Sequence, residues 1–178
     1  CSGLTSLYLS GFSTAAVTNM NSMFNGCSGL TSLDVSGFNT VVVTDMSSMF
    51  RGCSGLTSLD VSGFSTAVVT GMASMFLTCS GLTSLYLSGF STAAVTNMAN
   101  MFATLTNLTS LDVSGFNTAV VTDMNNMFNG CSTLADIVGV DTFDIGGLNS
   151  TGDLTAFATG VTLPTARYDA LLIAWEAQ

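Results

Sequence analysis

The chain has 178 residues and a formal net charge of −9, with two arginines and neither lysine nor histidine. Nucleic acids and anionic membrane surfaces attract proteins through lysine and arginine, so this composition argues against both classes of partner. Hydrophobic residues make up 48% of the chain, yet no apolar run approaches the ~18 residues that a membrane-spanning helix requires.

The segment Leu4–Phe12 returns along the chain at a fixed interval of 26 residues. A fixed period of this size is typical of a solenoid, in which each unit buries its apolar side only by stacking on its neighbours. The predicted solenoid covers 1–160, with units at 1–26, 27–52, 53–78, 79–104 and 105–130 and a degenerate sixth unit at 131–160.

Each unit begins with a pattern of period two. In the first unit, Leu7 and Leu9 alternate with Ser6, Tyr8 and Ser10, which predicts a short strand with one buried face. Stacked units would place these strands in parallel, about 4.8 Å apart. The predicted strands are centred on Leu7, Leu33, Leu59, Leu85 and Leu111.

The second half of each unit changes period. Apolar residues between 17 and 27 recur at spacings of three and four, which predicts a short helix. Thr18 stands where a helix cap is expected, Asn19 follows at the positive end, and Gly26 stands where the helix would stop. The predicted fold class is therefore an α/β solenoid, with a parallel strand and a short helix in each coil.

The last segment, 161–178, differs from the repeat. A short apolar strand precedes Pro164, and residues 165–178 read as one helix. Terminal units of a solenoid need an atypical cap, so this helix is predicted to close the core. Its core-facing residues are predicted to be Tyr168, Leu171, Leu172 and Trp175. The first unit lacks such a cap, so we expect the chain to be a processed piece of a longer protein or a subunit that contacts neighbours through Cys1–Phe12.

The spacing L-x-x-L-x-L matches the leucine-rich repeat signature, with phenylalanine where that signature has Asn or Cys. We expect a phenylalanine stack to replace the usual polar ladder. The fuller pattern C-S-x-L-T-S-L-D-V-S-x-F-x-T-x-x-V-T-x-M-x-x-M-F, near-consensus at Cys27–Phe50, resembles the BspA-like leucine-rich repeat of bacterial surface proteins. The resemblance implies a secreted or surface-anchored solenoid, often an adhesin for host or matrix proteins, and it supplies no catalytic residues.

Cysteines recur at one position of the repeat. Cys1 shares it with four others, and Leu105 takes the place in the fifth unit, which indicates a buried apolar column of free thiols. Lipidation of Cys1 and disulfides between neighbours are the alternatives. No C-x-x-C pair or nearby histidine indicates a metal site. The other members of the column are Cys27, Cys53, Cys79 and Cys131.

Polar strand positions would form the concave face of the solenoid. One column on this face combines rigid tyrosines with carboxylates, which is typical of a binding surface, although a merely solvated sheet face is the alternative. The column consists of Tyr8, Asp34, Asp60, Tyr86 and Asp112. We expect it to bind a protein or glycan on another cell or in the matrix.

Two aspartates of this column, Asp34 and Asp60, would face each other on adjacent strands. Such a pair could attract calcium or act as a glycosidase acid and base. A flat repeating strand offers neither the pocket nor the contrasting environments that acid–base chemistry needs, so we expect no enzyme, no metal and no cofactor.

An Ala/Val pair follows the strand turn in each unit, where the BspA-like family has polar residues. If exposed, the pairs would form an apolar row, and such rows often mark contacts. The row consists of Ala15, Ala16, Val41, Val42, Ala67, Val68, Ala93, Ala94, Ala119 and Val120. The alternative function is therefore a self-assembling subunit of an extracellular fibre or sheath. Asn107 and Asn149 match the glycosylation pattern N-x-[ST], a match expected by chance in a chain rich in Ser and Thr.

Overall fold

The computed structural model describes residues 1–148 and 154–177, with Arg167 described by its backbone alone. The strands in this part of the chain are short: β1 (Ser58–Asp60), β2 (Ser84–Tyr86), β3 (Ser110–Asp112) and β4 (Asp136–Val138). A 3₁₀ turn spans Val140–Thr142 and one α-helix, α1, spans Thr165–Glu176. Neither of these described helices has the length and apolarity to cross a membrane.

The strands pair in parallel with the register that the repeat predicts. Leu59 of β1 lies opposite Leu85 of β2, and Leu111 of β3 lies opposite Ile137 of β4. Repeating units with short parallel strands are thus confirmed. Strand β4 adds a pairing within the unit that the sequence marked as degenerate.

The strands predicted around Leu7 and Leu33 are not formed, because the backbone there lacks the pairing that defines a strand. The first two units are joined instead through the turn segment of the repeat. Met20 N donates to Asp45 O at 2.9 Å, and Phe24 N donates to Met49 O at 2.8 Å.

The helix predicted in each Met-x-x-Met-Phe segment is wrong, since these residues form consecutive turns. In the first unit Met23 N donates to Met20 O, and Cys27 N donates to Phe24 O. Consecutive turns of this kind return a side chain to the interior every three residues. They therefore produce the same three-and-four spacing as an amphipathic helix, and the sequence pattern does not separate the two.

Between these local bonds, alternate amides of the turn segment reach the next coil. Met46 N donates to Gly71 O at 3.0 Å, and Phe50 N donates to Met75 O at 2.9 Å. The residue between them, Ser48, has a φ of 57°. This left-handed backbone is uncommon outside glycine, and here it recurs at the matching serine or asparagine of the other units. Each coil thus carries a second parallel ladder in addition to its strand.

Thr18 and Asn19, predicted to begin a helix, take part in this ladder instead. Thr18 O accepts hydrogen bonds from Thr44 N at 2.8 Å and from Thr44 Oγ1 at 3.1 Å. Asn19 Oδ1 accepts from Asn21 N at 2.7 Å, which closes an Asx turn. Asn19 is also bridged in parallel to Asp45 of the next unit.

The core contains two columns of phenylalanine. Four neighbouring pairs of one column have ring centroids 5.5–5.7 Å apart and nearly parallel planes, and this column runs from Phe24 to Phe128. The second column contains the predicted stack, in which Phe38 lies 6.4 Å from Phe64. Phe64 is buried, whereas Phe12 in the first unit is 61% exposed.

The phenylalanine stack does not replace the polar ladder, contrary to expectation. In each of the first five units, the threonine two residues after the phenylalanine of the second column is buried. Thr14 Oγ1 donates to Asn39 O at 3.0 Å and accepts from Asn39 N at 2.8 Å. This buried threonine column connects successive coils and consists of Thr14, Thr40, Thr66, Thr92 and Thr118.

All five thiols of the cysteine column are free, and all are buried except that of Cys1, which is exposed. Cys53 Sγ donates to Phe24 O at 3.1 Å, and Cys79 Sγ donates to Phe50 O at 3.0 Å. Leu105, which replaces cysteine in the fifth unit, is fully buried.

Residues that follow the fifth unit continue the stack. Phe143 lies 6.4 Å from Phe116 with parallel rings, and Phe128 N donates to Phe157 O at 2.8 Å. Trp175 of α1 meets Phe157 edge-on at 5.4 Å.

Helix α1 contacts these residues through one narrow face. Leu171 is buried and Trp175 is partly buried against the core. Tyr168 and Leu172, which the sequence placed on the same face, are exposed instead. The face of α1 that contacts the core is therefore narrower than predicted.

Candidate binding face

The repeat directs alternate side chains of each strand to opposite sides of the sheet. In β1, Leu59 is buried, whereas Ser58 and Asp60 on either side of it are exposed. The same polar positions in the other units form one continuous surface, which we call the sheet face. It is defined by the five predicted residues Tyr8, Asp34, Asp60, Tyr86 and Asp112 together with the serines that flank them.

The structure brings the predicted residues together. Tyr8, Asp34 and Asp60 line one shallow groove of about 740 Å³ across the first three units. Asp60 is the direct strand partner of Tyr86. Tyr86 and Asp112 line an adjoining depression of about 290 Å³.

Both tyrosines of the sheet face are open to solvent. Tyr8 is 86% exposed and Tyr86 is 54% exposed. Phenylalanine rings are stacked in the core, whereas these two tyrosine rings are accessible to a partner. An exposed tyrosine offers a flat apolar surface and a hydroxyl at little conformational cost, so it favours contact with a partner.

Each carboxylate of the sheet face is oriented by a serine two residues later. Asp60 Oδ1 accepts a hydrogen bond from Ser62 N at 2.9 Å, and Asp34 and Asp112 are held in the same way. Hydrogen bonds from the Ser62 hydroxyl and then from its amide lower the pKa of Asp60 below its ordinary value of 3.8. Matching serines lower the pKa of Asp34 and of Asp112. The sheet face is therefore negatively charged at neutral pH.

The sequence places these serines on the sheet face, but their role in orienting the carboxylates was not predicted. The signal was present as the triplet D-x-S, which is typical of an Asx turn and occurs at each of the three aspartates. The serines are Ser36, Ser62 and Ser114.

The aspartates have similar surroundings. Asp34 and Asp60 both have a pKa lowered by the same kind of hydrogen bond, so neither is held protonated near neutral pH. A general acid and base need environments that push their pKa values apart, and this pair lacks that contrast. Within the described residues, three or more metal-ligating side chains do not come together at any point.

The column of tyrosines and aspartates ends at the fifth unit. The strand partner of Asp112 is Val138 of β4, an apolar residue. The mixed aromatic and acidic chemistry therefore spans the first five units.

The Ala/Val row lies on a different surface and is mostly exposed. Val41 is 59% exposed, and Val42, Val68 and Val120 are exposed to a lesser degree. All the alanines of the row are exposed except Ala94, which is half-buried. An exposed threonine column runs beside it, so neither of these two columns carries a charge: Thr18, Thr44, Thr70, Thr96 and Thr122.

Of the two glycosylation matches, Asn107 is exposed in a turn at the start of the fifth unit. Asn149 lies outside the described residues. An accessible turn is compatible with modification of Asn107, and the structure adds nothing more to that match.

A family model described as "Mycoplasma protein of unknown function, DUF285" matches residues 3–86 and, a second time, residues 56–159. The two matches together cover most of the chain. No match to a curated protein or to a solved structure reaches significance.

Proposed function

The chain belongs to the Mycoplasma protein family of unknown function DUF285, and on that premise we propose that it is a non-enzymatic binding module whose sheet face contacts a protein or glycan on another cell or in the matrix. The observation that carries the proposal is the exposure of Tyr8 and Tyr86 in a column with ionised carboxylates. The core and the turn segments lie on the other side of the strands from the sheet face.

We propose that the repeat is of the BspA-like leucine-rich type, with six coils and α1 as the cap of one end. Support comes from the parallel register of the strands and from the contact of Trp175 with Phe157. The buried side chain of Leu171 supports the capping role of α1. The location at the cell surface or outside the cell rests on the resemblance of the repeat to bacterial surface proteins.

The chemistry of the sheet face also narrows the class of partner. It has three carboxylates with lowered pKa values. Nucleic acids and sulfated glycans are polyanions, and a surface of this sign repels them. Neutral glycans and proteins with neutral or basic contact surfaces remain as partners.

Binding of the purified chain to a panel of matrix proteins and glycans tests this proposal. The double variant Tyr8→Ala and Tyr86→Ala should lose the interactions that the unaltered chain makes. The variant Asn25→Ala, on the exposed turn side, should retain them. Equal binding by the two variants would contradict the proposal.

A second function, self-assembly into a fibre or sheath, is favoured by the exposed valines of the Ala/Val row. Chains that each carry a charge of −9 repel one another, and this row with its threonine column is a surface without charge on which they could meet. Sedimentation of the chain with and without Val42→Asp and Val68→Asp tests this function. Assemblies that dissociate in both variants would support it, and a monomer unaffected by either charge would exclude it.

A further inference from the structure

The sheet face contains a symmetrical arrangement of four residues in successive units. Two carboxylates, Asp34 and Asp60, occupy neighbouring coils, and one exposed tyrosine lies a coil beyond each of them, Tyr8 on one side and Tyr86 on the other. This arrangement lies in the groove of about 740 Å³ and continues into the adjoining depression.

We propose that this part of the sheet face docks an arginine side chain of an extended polypeptide partner. The guanidinium group would lie between Asp34 and Asp60 with a tyrosine ring beside it. The inference rests on the proposed function, because it names the chemistry of the partner at the same face.

Charge complementarity is the first argument. Asp34 and Asp60 occupy equivalent positions in neighbouring coils and line the same groove, and both are ionised at neutral pH. Two like charges that face the same groove repel each other. A cation placed between them removes that repulsion and gains attraction to both, whereas a neutral sugar gains neither.

The shape of the donor group is the second argument. A guanidinium group carries N–H donors on several edges of a rigid plane, so one group reaches two carboxylates at once. An ammonium group is a compact point charge and lacks this fit. The flat guanidinium also stacks on aromatic rings, and Tyr8 and Tyr86 supply exposed rings on either side.

A calcium ion is a weaker candidate for the same place. Calcium takes six to eight oxygen ligands, mostly carboxylates and carbonyls. Asp34 and Asp60 supply only a few of these ligands, because each has one carboxylate oxygen already bonded to a serine amide.

A polypeptide partner also has a backbone that can follow the serines along the groove. A second basic residue of that partner could then reach Asp112.

Titration with a short Gly-Ser peptide that carries one central arginine tests the inference, with heteronuclear NMR as the readout. The amides of Ser36 and Ser62 donate to the two carboxylates, so their resonances should move with peptide concentration. The same peptide with citrulline, which has the shape of arginine without its charge, should leave them unchanged. A lysine peptide should bind more weakly than the arginine peptide.

Asp34→Asn and Asp60→Asn should each weaken the arginine peptide about fivefold, as expected for loss of one exposed ion pair. Asparagine keeps the Oδ1 acceptor, so the local turn is retained. The matched control is Asp45→Asn, which removes the same charge from the turn side, where Asn19 and Asn97 occupy the equivalent positions. This control should bind as the unaltered chain does.

Two failures can be told apart. If the arginine and citrulline peptides behave alike while the tyrosine variants still abolish binding to a matrix protein or glycan, the arginine inference is wrong and the proposed function stands. If the tyrosine variants also bind that partner normally, the sheet face is not the binding surface and both proposals fail.

Discussion

Thr66 Oγ1 donates a hydrogen bond to Ser91 O at 2.8 Å and accepts one from Ser91 N at 2.7 Å. One buried hydroxyl thus satisfies both backbone groups of a residue in the next coil. An extended chain in a solenoid must satisfy such groups wherever it is buried. The threonine column therefore aligns neighbouring coils at the point where the strand ends and the Ala/Val row begins.

Thr66→Val should destabilise the protein by about 1–3 kcal/mol, because it keeps the shape of the side chain but leaves the Ser91 amide and carbonyl without a partner. The matched control is Thr70→Val, at an exposed threonine whose hydroxyl bonds to Thr44 O at 3.3 Å. Water can replace that bond. Urea denaturation measures the difference, and equal losses in the two variants would contradict the role assigned to the buried column.

Phe64→Ala should destabilise the protein by about 3–5 kcal/mol, as a large-to-small change in a packed core. The Phe64 ring is buried and stacks on Phe38. Tyr86→Ala should cost much less, since the Tyr86 side chain is 54% exposed. Comparable losses in chemical denaturation would mean that the assignment of inner and outer strand positions is wrong.

The parallel register was predictable from the sequence because a fixed period places equivalent residues in adjacent coils. The exposed tyrosines and aspartates followed from the period-two alternation, and the structure brings them into one face. The Met-x-x-Met-Phe segment was not predictable in the same way. Turns and a helix bury the same side chains there, and only the hydrogen bonds to the next coil distinguish them.

The buried threonine column has a recognisable signal in the sequence. Each of the five clear units has threonine two residues after the phenylalanine at the end of the strand segment. A polar residue that recurs without exception among apolar neighbours indicates a hydrogen bond made inside the stack. Its partner lies in the next coil, so pairing within one unit could not reveal it.

The thiols of Cys53 and Cys79 should resist labelling in the native protein. Burial, with a smaller contribution from repulsion by Cys27, raises the pKa of Cys53 to about 12. Burial also raises the pKa of Cys79. Protonated, covered thiols react slowly. Unfolding without reductant should make both available to a thiol reagent. Failure to label the unfolded, unreduced chain at these positions would show that they are disulfide-bonded.

Binding of the arginine peptide should be nearly unchanged between pH 7 and pH 5, and the midpoint of its loss should lie below pH 3.8. Hydrogen bonds from Ser62 hold the pKa of Asp60 under that value, and Asp34 has the matching bonds from Ser36. Protonation removes the charge as the pH falls through the lowered pKa, while arginine stays charged throughout. NMR titrations at several pH values measure this, and a midpoint near pH 6 would contradict the assignment to these carboxylates.

Site-specific cross-linking tests most directly whether the sheet face is the surface that binds. A photoreactive amino acid is introduced at the half-buried Ser84, on the same side of β2 as the exposed Tyr86, or at Thr70, in the exposed threonine column beside the Ala/Val row. Each protein is then irradiated with a matrix protein or glycan that the unaltered chain binds. If the sheet face binds the partner, a cross-linked product forms from position 84 and none forms from position 70. Partner cross-links from position 70 alone would contradict it.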